Sequence, residues 1–358
     1  MKEPYPLAYK PDLSDAARRW EAYYRGEMID RPIVCVSAPK DPSKQVKGST
    51  YREKQFGDLD DIISRALEAA ENTYYGGESI PAFGPSFGCD EVAVFTVMGA
   101  KFAWSDESGD TCWSEPCVDD WGSSPPITLK RDHPLWQRML TFYRKAADRM
   151  AGKMLLTPLD LHTNMDMLLA LRGSERLCMD CIEQPRMIDR AMADARRVFR
   201  EVWSATAKAG RMDEFGYCNC MYSMEGASFL QCDFSCMISP AMFRRWVLPA
   251  LEEEASIVKH VVYHWDGPGA LVHTADLLAS KGLHTMSYVP GAGHGGHVEH
   301  LDLLKRVQAG GKAVQVWGTP DEMKQLHREL KPERVIYCTN TKTPAEADDL
   351  LKWFVKNT

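Results

Sequence analysis

The stretch that decides the fold is HVVYHWDGPGALVHTADLLASKGLHTMSYV, residues 260–289. An apolar, β-branched run at 260–263 is followed by a Gly-Pro-Gly turn at 267–269, a segment with helical periodicity at 268–280, and a second apolar run at 284–289. Strand, helix and strand in this order, with short connections, indicate parallel strands joined by a right-handed crossover.

The same pattern extends to both sides of this stretch. It predicts strands at 154–159, 215–221, 260–263, 284–289, 313–317 and 335–338, and helices at 188–203, 240–257, 268–280, 298–308, 320–329 and 344–355. Ser239-Pro240, Thr319-Pro320 and Thr343-Pro344 each place a capping hydroxyl before a proline that suits the first helical turn. Six such units, with one or two more in the first 90 residues, predict an α/β fold, a TIM (β/α)8 barrel rather than an open sheet.

The first third of the chain is less regular. We predict that residues 1–135 form an N-terminal helical and irregular elaboration that carries the first barrel elements and covers the barrel mouth. Its predicted elements are helices at 14–27 and 60–76 and a short apolar run at 33–36. The whole chain, 1–358, is therefore expected to be one domain, with regular β/α repeats in 136–358.

Composition excludes several classes of partner. The 358 residues include 43 basic and 50 acidic side chains, and the net charge of -7 comes without a long run of either sign, so nucleic acid and anionic membranes are not expected partners. No run approaches the roughly 18 apolar residues of a membrane span, and the start MKEPYPLAYKPD lacks the apolar core of a signal peptide. We expect a cytoplasmic protein whose 11 cysteines are reduced thiols.

In a barrel of this kind, functional side chains follow the carboxyl ends of the strands. The segment 217–239 is too short for two strands and a crossover helix, so we interpret it as a strand and a loop that carries Cys232 and Asp233 into the mouth. The predicted catalytic residues are Asp160, Asp233, His264 and Asp266. The predicted substrate-binding residues are His162, Asn164, Asp166, Tyr263, Gly291, Gly293, His294 and Trp317.

These residue types support two kinds of chemistry. In the first, His264 binds one zinc ion together with oxygen or sulfur ligands, and an open coordination position serves catalysis. The predicted metal ligands are His264, Asp266, Cys338 and Cys232. In the second, His264 and the carboxylates of Asp160, Asp233 and Asp266 perform acid-base or cation-stabilising work without a metal. Residue spacing alone leaves both alternatives open.

Several segments resemble the uroporphyrinogen decarboxylase-like superfamily, and the similarity covers nearly the whole chain. The segments are Asp30-Arg31-Pro32-Ile33-Val34, GESIPAFGPSFG at 77–88, TPLDLHTNMDMLLALRGSERL at 157–177, QCDFSCMISPAMFRRWVLPAL at 231–251, YHWDGPGALVHTADLL at 263–278 and SYVPGAG at 287–293. The segments at 231 and 263 look like an uncharacterised bacterial branch with a His-x-Asp-Gly-Pro-Gly motif. The resemblance implies a TIM barrel.

The superfamily contains two chemistries, and this chain departs from the motifs of both. Cofactor-free decarboxylases carry an arginine-rich N-terminal motif, whereas the arginines here, Arg18, Arg19, Arg25 and Arg31, lie in a different pattern. Corrinoid-dependent methyltransferases bind zinc through a His-x-Cys pair and a later cysteine. His264 matches that histidine, Asp266 takes the place of the first cysteine, and Cys338 falls near the second.

The resemblance leads to an expected function. We expect a methyltransferase-like enzyme that acts on a small molecule, assisted by zinc, with a corrinoid, a folate or a methoxylated small molecule as co-substrate. A corrinoid protein and a second copy of this chain are the candidate partners. One alternative is a metal-free decarboxylase that uses Asp233 and His264 on a small carboxylate or a tetrapyrrole-like substrate. The other is a non-catalytic protein that binds a tetrapyrrole or corrinoid.

Overall fold

A seven-stranded, mostly parallel sheet forms the centre of the molecule in a computed structural model that describes residues 3–104 and 111–358. The order of strands across this sheet is β2-β1-β13-β12-β11-β10-β9. The strands are β1 (Ile33–Pro39), β2 (Thr73–Gly77), β3 (Ala82–Phe83), β4 (Lys101–Trp104), β5 (Cys112–Glu115), β6 (Leu155–Leu156), β7 (Tyr217–Cys218), β8 (Tyr222–Ser223), β9 (Ala227–Gln231), β10 (His260–Asp266), β11 (Thr285–Val289), β12 (Ala313–Trp317) and β13 (Val335–Asn340).

Helices alternate with the strands throughout the second half of the chain, as predicted. The α-helices are α1 (Leu13–Tyr24), α2 (Tyr51–Phe56), α3 (Leu59–Glu71), α4 (Glu91–Val94), α5 (Pro134–Met150), α6 (Met165–Arg172), α7 (Ser174–Glu183), α8 (Pro185–Ala209), α9 (Met212–Phe215), α10 (Pro240–Met242), α11 (Leu248–Val258), α12 (Thr274–Ala279), α13 (Leu301–Ala309), α14 (Pro320–His327) and α15 (Pro344–Asn357). A π-helical turn, Phe243–Val247, joins α10 to α11, and short 3-10 turns lie at Asp233–Met237, Pro268–His273, His297–His300 and Pro332–Arg334.

The predicted helix caps are confirmed. The hydroxyl groups of Ser239, Thr319 and Thr343 each accept a backbone N–H three residues later, at 3.3, 3.3 and 3.2 Å. A proline follows each cap, where the missing N–H costs no helical hydrogen bond. These caps fix where α10, α14 and α15 begin after their strands.

The register of the sheet determines which side chains share a face. His264 of β10 lies opposite Gln231 of β9 and Ser287 of β11. Because side chains alternate along a strand, Asp266 shares the face of His264, while Tyr263 and Trp265 point to the opposite face. Tyr263 and Trp265 are each 1% exposed, whereas His264 and Asp266 on the other face are half-buried.

Hydrogen-bonded ladders do not close this sheet into a ring within the part of the chain that the structure describes. β3 and β6 form a separate parallel pair, and β2 lies antiparallel along the edge of β1 that a closing strand would use. The arrangement, with its many helices, is compatible with a TIM-like barrel.

Three sequence predictions need correction. The strand predicted at 215–221 is only Tyr217–Cys218, and the chain then turns back into the antiparallel β8. The short run that follows, Ala227–Gln231, is a strand parallel to β10, so the prediction of a loop there was wrong. The helix predicted at 60–76 ends at Glu71, because Thr73–Gly77 contains β-forming residues and pairs with β1.

The irregular N-terminal segment packs against the start of the repeats. The hydroxyl of Ser114 in β5 donates to the carbonyl of Ala170 in α6 at 2.6 Å, and the carboxylate of Asp90 accepts the Ser114 N–H at 2.8 Å. Part of the tryptophan-rich segment, 105–110, lies outside the described residues. Among the helices that the structure describes, none has the length and apolar character needed to cross a membrane.

Candidate functional site

Gln231, the last residue of β9, connects two strand ends. Its side-chain Nε2 donates to Asp160 Oδ1 at 3.2 Å and contacts His162 Nε2, while its backbone carbonyl accepts from Asn164 Nδ2 at 3.0 Å. His162 Nε2 also lies 3.3 Å from Asp160 Oδ2. The predicted loop after β6 therefore meets the end of β9, as expected for neighbouring strand ends.

Asp166, in the first turn of α6, fixes the backbone that follows β9. Its two carboxylate oxygens accept the N–H groups of Asp233 and Phe234, at 3.0 and 2.9 Å. The carboxylate thus caps the 3-10 turn that begins at Asp233, where the first N–H groups have no helical partner. This contact holds the Asp233 side chain close to that of Asp166.

His162, Asp166 and Asp233 form a candidate metal centre. One ligand atom from each lies within 4.8 Å of the others, and within residues 3–104 and 111–358 no other group of three His, Cys, Asp or Glu side chains meets this spacing. Asp233 Oδ1 is buried without a hydrogen-bond partner. One nitrogen and two carboxylate ligands suit a divalent ion such as zinc, and the buried Asp233 oxygen fits the role of a ligand.

The charges of these groups depend strongly on one another. Burial and the nearby charge of Asp233 together raise the pKa of Asp166 to about 7, against the opposing effect of His162. Burial also raises the pKa of Asp233, while the charges of His162 and His264 lower it. Two close carboxyl groups of this kind hold one proton between them near neutral pH.

The pKa of His162 is raised in this arrangement. Burial lowers its pKa, but the charge of Asp160 and the hydrogen bond to it raise it, and the net direction is well above the ordinary value. An imidazolium beside the two carboxyl groups compensates part of their charge. A divalent ion would displace the protons of this cluster, because metal ligands bind in their deprotonated form.

His264 and Asp266 lie beside this centre at the end of β10. Both side chains are half-buried, and the charges of both act on Asp233. The structure therefore brings together the four residues predicted to be catalytic, Asp160, Asp233, His264 and Asp266.

The two predicted cysteine ligands, Cys232 and Cys338, have different surroundings. Cys232 is buried, and burial together with the charges of Asp166 and Asp233 raises its pKa. Cys338 lies in β13 opposite Cys35 of β1, and its sulfur accepts from Gln315 Nε2 at 3.7 Å. Within the described residues, His264, Asp266, Cys232 and Cys338 do not form a group at the 4.8 Å spacing that the other three residues share.

The remaining predicted binding residues lie in different surroundings. Asn164 is fully buried, and Tyr263 lies on the face of β10 opposite His264. Gly291, Gly293 and His294 lie in an exposed loop, where positive φ values of 84° and 81° explain the two glycines. Trp317 ends β12 half-exposed and lines a cavity of about 410 Å³.

Sequence reasoning missed two residues of this site. Gln231 carries a signal, since it directly precedes Cys232 and Asp233, but the strand that ends there was not recognised. Glu254 of α11 accepts from Thr163 Oγ1 at 3.1 Å and lies 3.5 Å from Asn164 Nδ2. It stands beside Glu252 and Glu253 in an ordinary helical pattern, so no sequence signal separates it from surface glutamates.

Comparison with known proteins shows similarity at the level of the fold. No family model matches the sequence, and no curated protein matches it. Among solved structures, a methyltransferase from Methanosarcina mazei superposes with a TM-score of 0.59 and 13% sequence identity, over 95% of this chain and 98% of that chain. At this identity the likeness concerns the fold alone.

Proposed function

We propose that this chain is a methyltransferase-like enzyme that acts on a small molecule with the help of a zinc ion. The observation that carries the proposal is the convergence of His162, Asp166 and Asp233 at ligand spacing beside the strand ends. The fold shared with the Methanosarcina mazei methyltransferase over nearly the whole chain supports the choice of enzyme class.

The chain's own residues have separate roles in this proposal. His162, Asp166 and Asp233 hold the ion, and Asp160 with Gln231 orients the His162 ring as outer partners of metal-bound histidines do. A bound zinc ion would stabilise a thiolate acceptor or polarise a methyl-bearing oxygen at neutral pH. His264 and Asp266, on the adjacent face of β10, hold or transfer the proton of the reacting group.

The methyl donor and the partner belong to the same proposal. A corrinoid, a folate or a methoxylated small molecule is the proposed co-substrate, and a corrinoid protein is the proposed partner. The alternative ligand set consists of His264, Asp266, Cys338 and Cys232. Metal analysis of His264→Ala and Cys338→Ser tests it.

Metal analysis of protein purified without a histidine tag tests this proposal. We expect one equivalent of zinc in the wild-type protein and its loss in His162→Ala and Asp233→Asn. Asp349→Asn, which removes only an exposed pair with Lys352, is the control and keeps the metal. Loss of zinc in His264→Ala and Cys338→Ser but not in Asp233→Asn would favour the alternative ligands, and a zinc-free wild-type protein would overturn both.

A metal-free lyase is the second candidate, and the shared proton favours it. Asp166, with a pKa near 7, is partly protonated at neutral pH and can deliver a proton to a carbanion left by decarboxylation. This alternative predicts turnover of a small carboxylate that persists after exhaustive treatment with a chelator. Methyl transfer that stops with the chelator and returns with zinc would contradict it.

A further inference from the structure

A cavity of about 410 Å³ lies between β1, β12, β13 and the β7–β8 hairpin, and its walls are rich in sulfur. Five of the nineteen residues that line it carry sulfur: Cys35, Cys218, Cys220, Met221 and Cys338. All four of these cysteines are free thiols. None of these residues belongs to the His162, Asp166 and Asp233 group, so the cavity is a second concentration of metal-ligating side chains.

The cavity provides no positive charge. Its described lining contains no lysine, arginine or histidine, and its one carboxylate, Glu78, is paired with Arg31, whose Nη2 donates to Glu78 Oε1 at 2.8 Å. An anionic substrate would therefore enter without a charged partner. A cation, by contrast, would meet only thiols, amides and hydroxyls.

Cys35 and Cys338 form a close pair. They are register partners on the parallel strands β1 and β13, so their side chains leave the same face of the sheet side by side. Both side chains line the cavity. The amide of Gln315 donates to Cys338 Sγ at 3.7 Å, and Cys220 lines the same cavity.

These thiols are poorly suited to nucleophilic catalysis. Burial raises the pKa of Cys220 to about 12, against the opposing hydrogen bond from Gln315, and the hydrogen bond to Cys35 and burial raise the pKa of Cys338. A thiol reacts as its thiolate, which needs a nearby positive charge or base. The lining supplies neither, since its one carboxylate, Glu78, is paired with Arg31. A soft cation bound between two thiolates would offset one of their two negative charges.

We propose that this cavity binds a cuprous ion between the sulfur atoms of Cys35 and Cys338. Soft thiolate and thioether ligands select Cu(I), and this ion accepts two sulfur ligands. The three atoms Cys35 Sγ, Cys220 Sγ and Cys338 Sγ do not all lie within 4.8 Å of one another, so the ion is assigned to Cys35 and Cys338 alone. Binding breaks two S–H bonds, forms two Cu–S bonds and releases two protons to water.

The two metal centres differ in the hardness of their ligands. The His162, Asp166 and Asp233 group offers one nitrogen and two carboxylates, whereas the Cys35–Cys338 pair offers sulfur alone. The copper site therefore does not depend on the proposed methyltransferase function. It does exclude Cys338 from simultaneous use in the alternative zinc set.

Anaerobic titration of the reduced full-length protein with Cu(I), in competition with a chromophoric cuprous chelator, tests the proposal. We expect one equivalent to be withdrawn from the chelator by the wild-type protein and none by the Cys35→Ser/Cys338→Ser double variant. The Cys178→Ser/Cys181→Ser variant is the matched control, because that pair lies in α7 away from the cavity, and it withdraws a full equivalent.

Two further measurements distinguish the copper site from the zinc centre and from a loss of folding in the variants. Asp233→Asn is expected to keep copper binding, whereas the cysteine double variant keeps zinc at the other centre. Thermal unfolding of each variant shows whether it folds, and single Cys35→Ser and Cys338→Ser variants provide a milder perturbation. The proposal is overturned if the wild-type protein takes up no copper, if uptake persists in a folded double variant, or if only zinc occupies the cavity.

Discussion

The Asp166 carboxylate accepts the backbone N–H of Asp233 at 3.0 Å, so a residue in the first turn of α6 fixes the point where the chain leaves β9. The same carboxylate lies at ligand spacing from His162 and Asp233. Asp166 therefore combines a structural role, as a cap, with a chemical role, as a candidate ligand. The first prediction separates the two.

Asp166→Asn is expected to lower the free energy of unfolding by about 1–3 kcal/mol, because an asparagine has only one acceptor atom for the two N–H groups of Asp233 and Phe234. Urea unfolding followed by circular dichroism measures this change. Asp349→Asn, at an exposed pair with Lys352, should stay within about 0.5 kcal/mol of wild type. Equal effects at both positions would show that the cap adds nothing beyond a surface contact.

Gln231→Ala is expected to weaken zinc binding about 10- to 100-fold while leaving the fold intact, because it removes the amide that positions Asp160 and His162. Competition with a chromophoric zinc chelator measures the affinity. Gln325→Ala, on an exposed helix surface, is the control. Unchanged affinity in Gln231→Ala would remove Gln231 from the positioning role.

Glu254 is expected to make stability depend on pH. Burial raises its pKa to about 8, although the hydrogen bonds from Thr163 and Asn164 lower it, and in the unfolded chain it has an ordinary, lower value. The folded state therefore binds the extra proton, and the contribution of Glu254 to the unfolding free energy is full below about pH 4 and falls as pH rises toward 8.

Denaturant unfolding of metal-free Glu254→Gln at several pH values tests this expectation. The glutamine keeps an acceptor for the Thr163 hydroxyl but cannot ionise, so its stability should decline less than that of wild type between about pH 5 and 8. Glu252→Gln, an exposed neighbour on the same helix, should follow the wild-type curve. Parallel curves for wild type and Glu254→Gln would contradict the raised pKa.

Asn164 has a backbone conformation that side chains rarely adopt, with φ 54° and ψ -134°. Asn164→Ala and Asn164→Gly both lose the bond to the Gln231 carbonyl, but only alanine keeps a Cβ in this conformation. We expect alanine to be less stable than glycine by about 1 kcal/mol in denaturant unfolding. A glycine variant no more stable than the alanine variant would show that the backbone is not strained there.

The order of strands and helices after residue 260 could be predicted because each unit combines an apolar run, a turn and a capped helix start. β9 could not, since five residues containing Ser228 and Gln231 lack the continuous apolar run of a buried strand. Asp233 was nevertheless among the predicted catalytic residues, because the interpretation of 217–239 as a strand and a loop placed it in the loop. The antiparallel β2 was missed for a different reason: its pairing with β1 depends on a contact between residues distant in the sequence, such as Val36 and Gly76.

The residues of the site were easier to identify than their partners. His162, Asp166 and Asp233 were all selected from polar positions near strand ends. The residue types and the family resemblance, however, assigned the metal to His264, Asp266, Cys338 and Cys232. The grouping at 4.8 Å depends on how α6 and β9 meet in space, and 67 residues separate Asp166 from Asp233 in the chain. That assignment remains a prediction for the metal analysis of the variants.

The contact between Ser114 and the Ala170 carbonyl links the N-terminal hairpin to α6, the helix that also carries Asp166. The same helix is therefore bonded near its end to β5 and, through Asp166 in its first turn, to the backbone at Asp233. The covering segment and the candidate centre thus share one support, so a substitution such as Ser114→Ala is expected to disturb the packing of both.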